Sequence, residues 1–384
     1  MSLKQAIKLP AIKLYLALSR SLPRSSRLPP NPRDVHKILL MAFGGIGDTI
    51  RMIPLIRMLG RAFPAAELAT LTNQSPALFD LMPEGSPASR HLSFDFDHGL
   101  ASKWRRLREL RRERFDLIVL PIVGDGFVEI AVLARLIGAR HRVGFDLDGG
   151  GLIYTHSVAF HQDRSILAQY GELLSALDCP GSADNIPFRR DPAMAAAVTM
   201  RLQALGLANH QLVVVHPWVG HHERFRAWPP ALFRDLIARL IAEPDVAVVL
   251  VGSKTEQPLA REHFDGLASP RFRDLTGALT FAETAALLGR SRCLVCNDSC
   301  LIMVADGLRV PSVAIFGSTA PVQVLAKSSI CQAVVTEANL SCRPCYLHQT
   351  LFAYKCDHEF RCLETVPVER VLQHVRATLA GVAA

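Results

Sequence analysis

Asp48 closes the stretch GGIGD (Gly44–Asp48), which stands between an apolar run and a helix-like pattern. Glycines at such a turn let backbone N–H groups approach a ligand. A carboxylate there can do either of two jobs. It can cap the helix, a contribution of about 1 kcal/mol, or it can take a proton from a hydroxyl as a general base. The spacing matches neither the G-x-G-x-x-G dinucleotide fingerprint nor a P-loop, which needs a Lys-Ser/Thr pair. From these residues alone both roles for Asp48 stay open.

A second group follows the run QLVVVHP (Gln211–Pro217), where the next loop holds His221, His222, Arg224 and Arg226 before Trp228-Pro229. Arginine at the carboxyl edge of a parallel strand suits phosphate oxygens, because its planar fork makes paired, charge-assisted bonds. The adjacent histidines point in different directions and have no carboxylate cluster beside them, which argues against a metal there. A third stretch, VCNDSCLIMVAD (Val295–Asp306), sets the capping signal Asn297-Asp298-Ser299 between a strand-like run and an apolar helix. Glu256, in VGSKTE, lies near another helix start. Ribose hydroxyls or the helix dipole would each explain an acid at that place.

Four of the nine cysteines, Cys342, Cys345, Cys356 and Cys362, form a C-x2-C pair followed by two more. That set suits a tetrathiolate Zn or Fe site, with His348 and His358 as spare ligands; unligated thiols or disulfides are the other readings. The remaining five (Cys179, Cys293, Cys296, Cys300 and Cys331) are scattered and expected to be reduced.

Turns of this kind need a scaffold that lines them up. β-rich runs predict strands at Lys37–Phe43, Glu67–Leu71, Asp116–Ile122, His141–Phe145, Gln211–Pro217, Val246–Ser253, Cys293–Asn297 and Pro311–Gly317. Helical patterns fall between them: after Asp48, near Ser75–Leu81, and at Lys103–Arg114, Glu129–Ala139, Ala193–Leu205, Pro230–Ala242 and Thr280–Ser291, with Val368–Leu379 last. Thr280 and Glu283 have capping-box spacing. Alternating strands and helices imply parallel sheets covered on both faces, here as two doubly wound units in tandem.

The totals agree. A chain of 384 residues with 49% hydrophobic and 20% charged content is globular and long enough for two domains. No apolar run reaches the ~18 residues of a membrane span, and no signal-peptide pattern opens the chain, so a cytoplasmic location is expected. The net charge is +8, and residues 1–33 hold seven basic side chains and no acid, interleaved with apolar ones. Such a segment either lies on an anionic membrane face or is a solvated arm. A second basic run, KWRRLRELRRER, has the same two readings, with a phosphorylated lipid or glycan as its partner. No nucleic-acid motif accompanies the charge.

Four motifs, in order, make the chain resemble glycosyltransferase family 9, the ADP-heptose:lipopolysaccharide heptosyltransferases. They are GGIGDTIRMIPLIRML, HPWVGHHERFRAWP, LTGALTFAETAALLGRSRCLVCNDS with its apolar helix, and VPSVAIFGSTAP. The resemblance runs from about Lys37 to the C-terminus. It implies a GT-B fold, two Rossmann-like domains facing across a cleft. The expected parts are a basic segment at 1–35, an acceptor domain at 36–188, a nucleotide-sugar domain with the cysteine cluster at 189–365, and a terminal helix at 366–384. It implies an inverting transfer from a nucleotide sugar, ADP-heptose first, to a lipid-linked glycan on the inner membrane face, with no cofactor for catalysis and no nucleic acid. Asp48 would be the base and Arg226 would hold the donor diphosphate. Gly47, Glu256, Asp298, Ser299, Cys300, Gly317, Ser318 and Thr319 would contact the donor. The family also often carries the C-terminal cysteine cluster, at times with iron. This sequence departs from the pattern Asp-Thr/Ser-Gly-x-x-His by placing Cys300 at the glycine and Met303 at the histidine. That departure motivates an alternative, a catalytically weak GT-B protein that binds a nucleotide sugar or glycan. A nicotinamide oxidoreductase would share the architecture but lacks its glycine fingerprint here.

Overall fold

The computed structural model describes residues 28–82, 86–94, 99–122, 127–146, 153–182, 187–220, 223–345 and 356–381. Most of the basic N-terminal segment, His221, His222 and His348 lie outside the described residues. The chain divides into two compact units, each built on one sheet, and Leu81 and Met82 belong with the second.

The first unit holds strands β1 (Lys37–Ala42), β2 (Glu67–Thr72), β3 (Ala88–Ser93), β4 (Leu117–Leu120), β5 (His141–Asp146) and β6 (His156–Ala159). They pair in parallel in the order β3-β2-β1-β4-β5-β6. Between them run α1 (Ile46–Arg51), α2 (Ile53–Ala62), α3 (Leu100–Arg112) and α4 (Phe127–Ile137), and α5 (Ile166–Ser175) follows β6. The central strands are apolar throughout because helices cover both faces: Leu39, Leu40, Met41, Leu117, Ile118 and Val119 have no exposed surface.

The second unit repeats the plan with α6 (Pro192–Ala204), β7 (Gln211–His216), α7 (Pro230–Ala242), β8 (Val246–Leu250), α8 (Gln257–Phe264), β9 (Phe272–Asp274) and α9 (Phe281–Leu288). It continues with β10 (Cys293–Asn297), α10 (Leu301–Gly307), β11 (Ser312–Phe316), α11 (Pro321–Val324), β12 (Cys331–Val335), α12 (Arg361–Glu364) and α13 (Val368–Leu379). Its parallel order is β12-β11-β10-β7-β8-β9. On α7, Phe233, Leu236, Ile237 and Leu240 make one helical stripe that packs with Val371, Leu372 and Val375 of α13 over the sheet. The capping box forms as its spacing predicts: Thr280 Oγ1 accepts from Glu283 N at 3.2 Å, and Thr280 N donates to Glu283 Oε2 at 2.7 Å.

Counted in its own strands, each sheet runs 3-2-1-4-5-6. The direction of winding reverses between the first and fourth strands of each unit. A crevice opens there, outside the carboxyl ends of the strands, and that is where doubly wound folds bind ligands.

Candidate active-site residues

Asp48 lies at the reversal point of the first sheet, on the turn after β1. Its Oδ2 accepts the Gly45 N–H at 3.0 Å, so the capping role is realised. Its Oδ1 stands 3.7 Å from an Arg51 guanidinium nitrogen. The carboxylate nevertheless keeps 49% of its surface open, so capping does not use up its capacity to accept a proton. Gly44 makes the turn feasible. Its φ of +128° lies in the region that favours glycine, and a Cβ there would sit 2.7 Å from Asp48 Oδ2. Residues after β2 brace the turn: Asn73 Oδ1 accepts Gly44 N–H at 3.2 Å, and Gln74 Nε2 donates to Gly44 O at 2.8 Å. Tyr170, fully buried on α5, lies close enough to feel the charges of both Asp48 and Arg51.

In the second unit the corresponding turns follow β7 and β10. Arg226 pairs with Glu223, three residues earlier, and reaches Asp298 Oδ2 at 3.4 Å. Asp298 is 2% exposed, so this arginine neutralises a carboxylate that is otherwise shut away. Asn297 fixes the geometry. Its Oδ1 accepts Trp228 N–H at 2.9 Å, and its Nδ2 donates to Pro217 O at 2.7 Å. One buried amide thus joins the end of β10 to both ends of the Arg226 loop. Trp228 has no exposed surface and anchors the loop by donating Nε1–H to Val366 O at 3.1 Å.

Cys300 sits at the start of α10, where Glu256, Arg226 and Glu223 all act on its thiol. Burial, reinforced by Glu256, pushes that thiol up to about 12, so it is neutral at physiological pH. Glu256 Oε2 accepts Ser253 N–H at 2.5 Å in a capping box, and burial raises its pKa. The structure therefore gathers Arg226, Asp298, Cys300 and Glu256, with Glu223 added.

Several buried polar atoms along this edge have no hydrogen-bond partner: His216 Nδ1 at the end of β7, Thr276 Oγ1 after β9 and Thr319 Oγ1 after β11. Ser299 Oγ, after β10, has only the Cys296 thiol beside it. Burial pushes His216 down to about 4, so its ring is neutral. Such groups are uncommon in a protein interior, and Gln211 Oε1 and Ser312 Oγ, at the amino ends of β7 and β11, are unmatched too. His216, Thr276, Ser299 and Thr319 lie at the edge where a doubly wound unit takes its ligand.

Other expected residues have different surroundings. Ser318 is fully buried and donates its hydroxyl to Phe225 O at 3.0 Å, bracing the arginine loop from behind. Gly317 packs against α12, where a Cβ would meet Leu363 at 2.5 Å. Gly47 lies on α1 beside Asp48, in the first unit, whereas the other expected donor residues share the second sheet. The helix expected to be capped within Asn297–Ser299 instead begins at Leu301, with Cys300 at its cap position and no side-chain cap bond. Sequence reasoning passed over Glu223 and the bridging amide of Asn297. The signal available for Asn297 was a side-chain amide ending a fully apolar strand, where only a buried bonding partner would justify it.

Cys342, Cys345, Cys356 and Cys362 are free thiols, and the other three all act electrostatically on Cys362. Burial pushes the Cys362 thiol up to about 11. The set has the right chemistry for a thiolate-bound ion. Among the described residues, however, no three His, Cys, Asp or Glu side chains stand where they could jointly hold one.

The profile of "Glycosyltransferase family 9 (heptosyltransferase)" matches residues 103–354, about two-thirds of the chain. The chain belongs to glycosyltransferase family 9. It is similar to lipopolysaccharide heptosyltransferase 3 of Escherichia coli, with 23% identity over 71% of this chain and 81% of that protein. Its fold matches the solved structure of E. coli ADP-heptose lps heptosyltransferase II with a TM-score of 0.69 at 18% identity, covering 91% of this chain and 100% of that one. A TM-score of 0.55 at 14% identity relates it to TibC, a dodecameric iron-containing glycosyltransferase of enterotoxigenic E. coli, over 91% of this chain and 77% of that one. The expected GT-B architecture is borne out, and the chain is a glycosyltransferase.

Proposed function

We propose that this family 9 enzyme transfers a heptose from ADP-heptose to a hydroxyl of a lipopolysaccharide-core or related lipid-linked glycan, with inversion at the anomeric carbon. The first unit is then the acceptor domain and the second the nucleotide-sugar domain. One observation carries the reading: an open carboxylate sits at the reversal point of the first sheet, and an arginine amid unsatisfied polar groups sits at that of the second. Asp48 takes the proton of the attacking hydroxyl. The acceptor oxygen bonds to the anomeric carbon as the bond to the diphosphate breaks, and the electron pair leaves with ADP. Arg226 and the backbone N–H groups beginning at Ser299 stabilise the charge growing on the diphosphate, a preorganised electrostatic effect. Asp298 and Thr319 hold sugar hydroxyls, and Glu256 holds the ribose. Among the departures from the family pattern, neutral Cys300 narrows the donor pocket without adding charge. The names of the relatives support ADP-heptose as donor and lipopolysaccharide as acceptor.

No metal or cofactor enters these steps. For the four C-terminal cysteines a structural metal is the reading that their thiolate chemistry and the iron of TibC support, against a placement in which no three described side chains could jointly hold an ion. Metal analysis of the purified protein should find near-stoichiometric Zn or Fe; its absence would leave the thiols unligated. Among the described residues no helix is long and apolar enough to cross a membrane. On the proposed function the enzyme works in the cytoplasm at the inner face of the membrane that carries its acceptor, a reading supported by the lipopolysaccharide in its relatives' names.

A donor panel read by mass spectrometry tests the function. Incubated with a core acceptor, the enzyme should consume ADP-heptose and raise the acceptor mass by one heptose. Use of another nucleotide sugar in its place would remove the donor assignment. Binding of ADP without transfer from any donor would make the protein a binding module.

A further inference from the structure

α3 buries two leucines and leaves most of its other side chains exposed. Leu107 and Leu110 are buried against the unit. Towards its N-terminus Leu100 is 76% and Trp104 56% exposed, one helical turn apart and adjoining the side that bears Leu107. Arg108 and Arg111 continue that stripe, and Arg105 and Arg112 flank it, all four exposed. The acids of this region are engaged: Glu109, four residues after Arg105 and three before Arg112, with Arg106, and Glu113 with Arg90 and Lys37. Among the described residues, Arg105, Arg108, Arg111 and Arg112 form no ion pair. The exposed surface of α3 therefore carries two large apolar side chains at its N-terminal end and four arginines along it, of which Arg111 also donates to Leu136 O at 2.7 Å, and its one acid, Glu109, is paired with Arg106.

We propose that this face of α3 docks the enzyme onto an anionic phospholipid bilayer, with Leu100 and Trp104 entering the headgroup boundary and the arginines lying over lipid phosphates. Charge complementarity alone would admit any polyanion. The exposed Leu100–Trp104 pair favours a bilayer, because tryptophan and leucine beside arginine suit the interface between acyl chains and water. Placement within the unit supports the same choice. Arg106 Nε donates to Ser93 O at the carboxyl end of β3, at 3.2 Å, which holds the N-terminal half of α3 at that edge of the sheet. Phe94, just after β3, packs edge-on against Phe43, with ring centroids 6.5 Å apart. Phe43 in turn opens the turn that carries Asp48. The bilayer-facing end and the base thus share one edge of one unit, as transfer to a membrane-anchored acceptor requires. In that respect the inference rests on the proposed function.

The protein supplies its own reporter. Trp104 is exposed, while Trp218 and Trp228, the other two tryptophans, are buried. The full chain is titrated with vesicles of phosphatidylcholine, with and without phosphatidylglycerol, carrying brominated acyl chains. Trp104 emission should shift to the blue and be quenched by the anionic vesicles only, and Trp104→Phe should abolish that signal. The double variant Arg105→Glu/Arg108→Glu should partition at least about tenfold more weakly, since each basic side chain near an anionic surface matters on that scale. The same variant should keep wild-type transfer to a water-soluble acceptor, an assay that fails separately if the proposed function is wrong. Unquenched Trp104 overturns the assignment, even if the protein sediments with vesicles through its N-terminal segment. So does wild-type partitioning of the charge-reversed variant. Binding to an RNA oligomer without partition onto vesicles would make the face a nucleic-acid surface instead, and would equally overturn it.

Discussion

The turn after β1 and the turns after β7 and β10 occupy equivalent places in two sheets of identical strand order, but their hydrogen bonding differs. Around Asp48 the backbone is satisfied: Gly44 and Gly45 donate to Asn73 and Asp48, and Gly44 O accepts from Gln74. What remains open is a carboxylate, beside an Arg51 whose Nε is itself buried without a partner. Along the second sheet the scaffold atoms are bonded through Asn297 and Ser318, yet Thr276, Thr319 and His216 leave buried polar atoms unmatched. A base needs a fixed position and exposure. A site for a charged nucleotide sugar needs donors and acceptors that the ligand completes. One fold supplies either, according to which side chains end its first and fourth strands.

The largest effect that would sharpen this contrast is expected at Asp48. Asp48→Asn keeps the cap's acceptor but removes the base, and kcat should fall by about 10³-fold. Retention of wild-type turnover would remove Asp48 from the chemistry. Arg226→Ala should lower kcat/KM by about 10²–10³-fold, and it should also lower the melting temperature, because Asp298 stays buried without its partner. Arg226→Lys should recover part of both. Asn297→Ala breaks two buried bonds and should lower stability by about 2–3 kcal/mol in urea unfolding, with weaker ADP binding as the arginine loop loosens. Gly44→Ala should cost about 1–2 kcal/mol through its positive φ and lower kcat without changing ADP affinity.

The smallest effect concerns pH. The folded pKa of His216 lies near 4 against an ordinary 6.5, so the unfolded chain takes up this proton first as the medium acidifies. Its contribution to stability is complete above pH 6.5 and is lost as pH falls through 4. His216→Gln should flatten the pH dependence of the unfolding free energy in that window relative to wild type. An unchanged slope would mean that the ring is solvated in the folded state.

Much of this architecture was legible in the sequence because the central strands are buried on both faces and read as unbroken apolar runs. β10 matches its expected span, Cys293–Asn297, and α7 and α13 match theirs. The strands that escaped notice, β3, β6, β9 and β12, are the edges of the two sheets. Segments such as ASRHLS, HSVA and FRD carry no apolar run to recognise, since an edge strand is less covered than a central one. At the site, residue type singled out Asp48, Arg226 and Asp298, which the structure places on turns after β1, β7 and β10. It did not foretell that Ser318 turns inward to Phe225 or that Gly317 is small for the sake of Leu363. Those roles are set by neighbours distant in sequence, which no local pattern encodes.

The division of labour between the two turns is tested most directly by measuring ADP affinity calorimetrically for Asp48→Asn and Arg226→Ala beside the wild type, with turnover assayed on the same preparations. Asp48→Asn should bind ADP as the wild type does while its turnover collapses, and Arg226→Ala should lose both affinity and turnover. Asp48→Asn losing ADP affinity as severely as Arg226→Ala, or Arg226→Ala binding ADP normally, would contradict it.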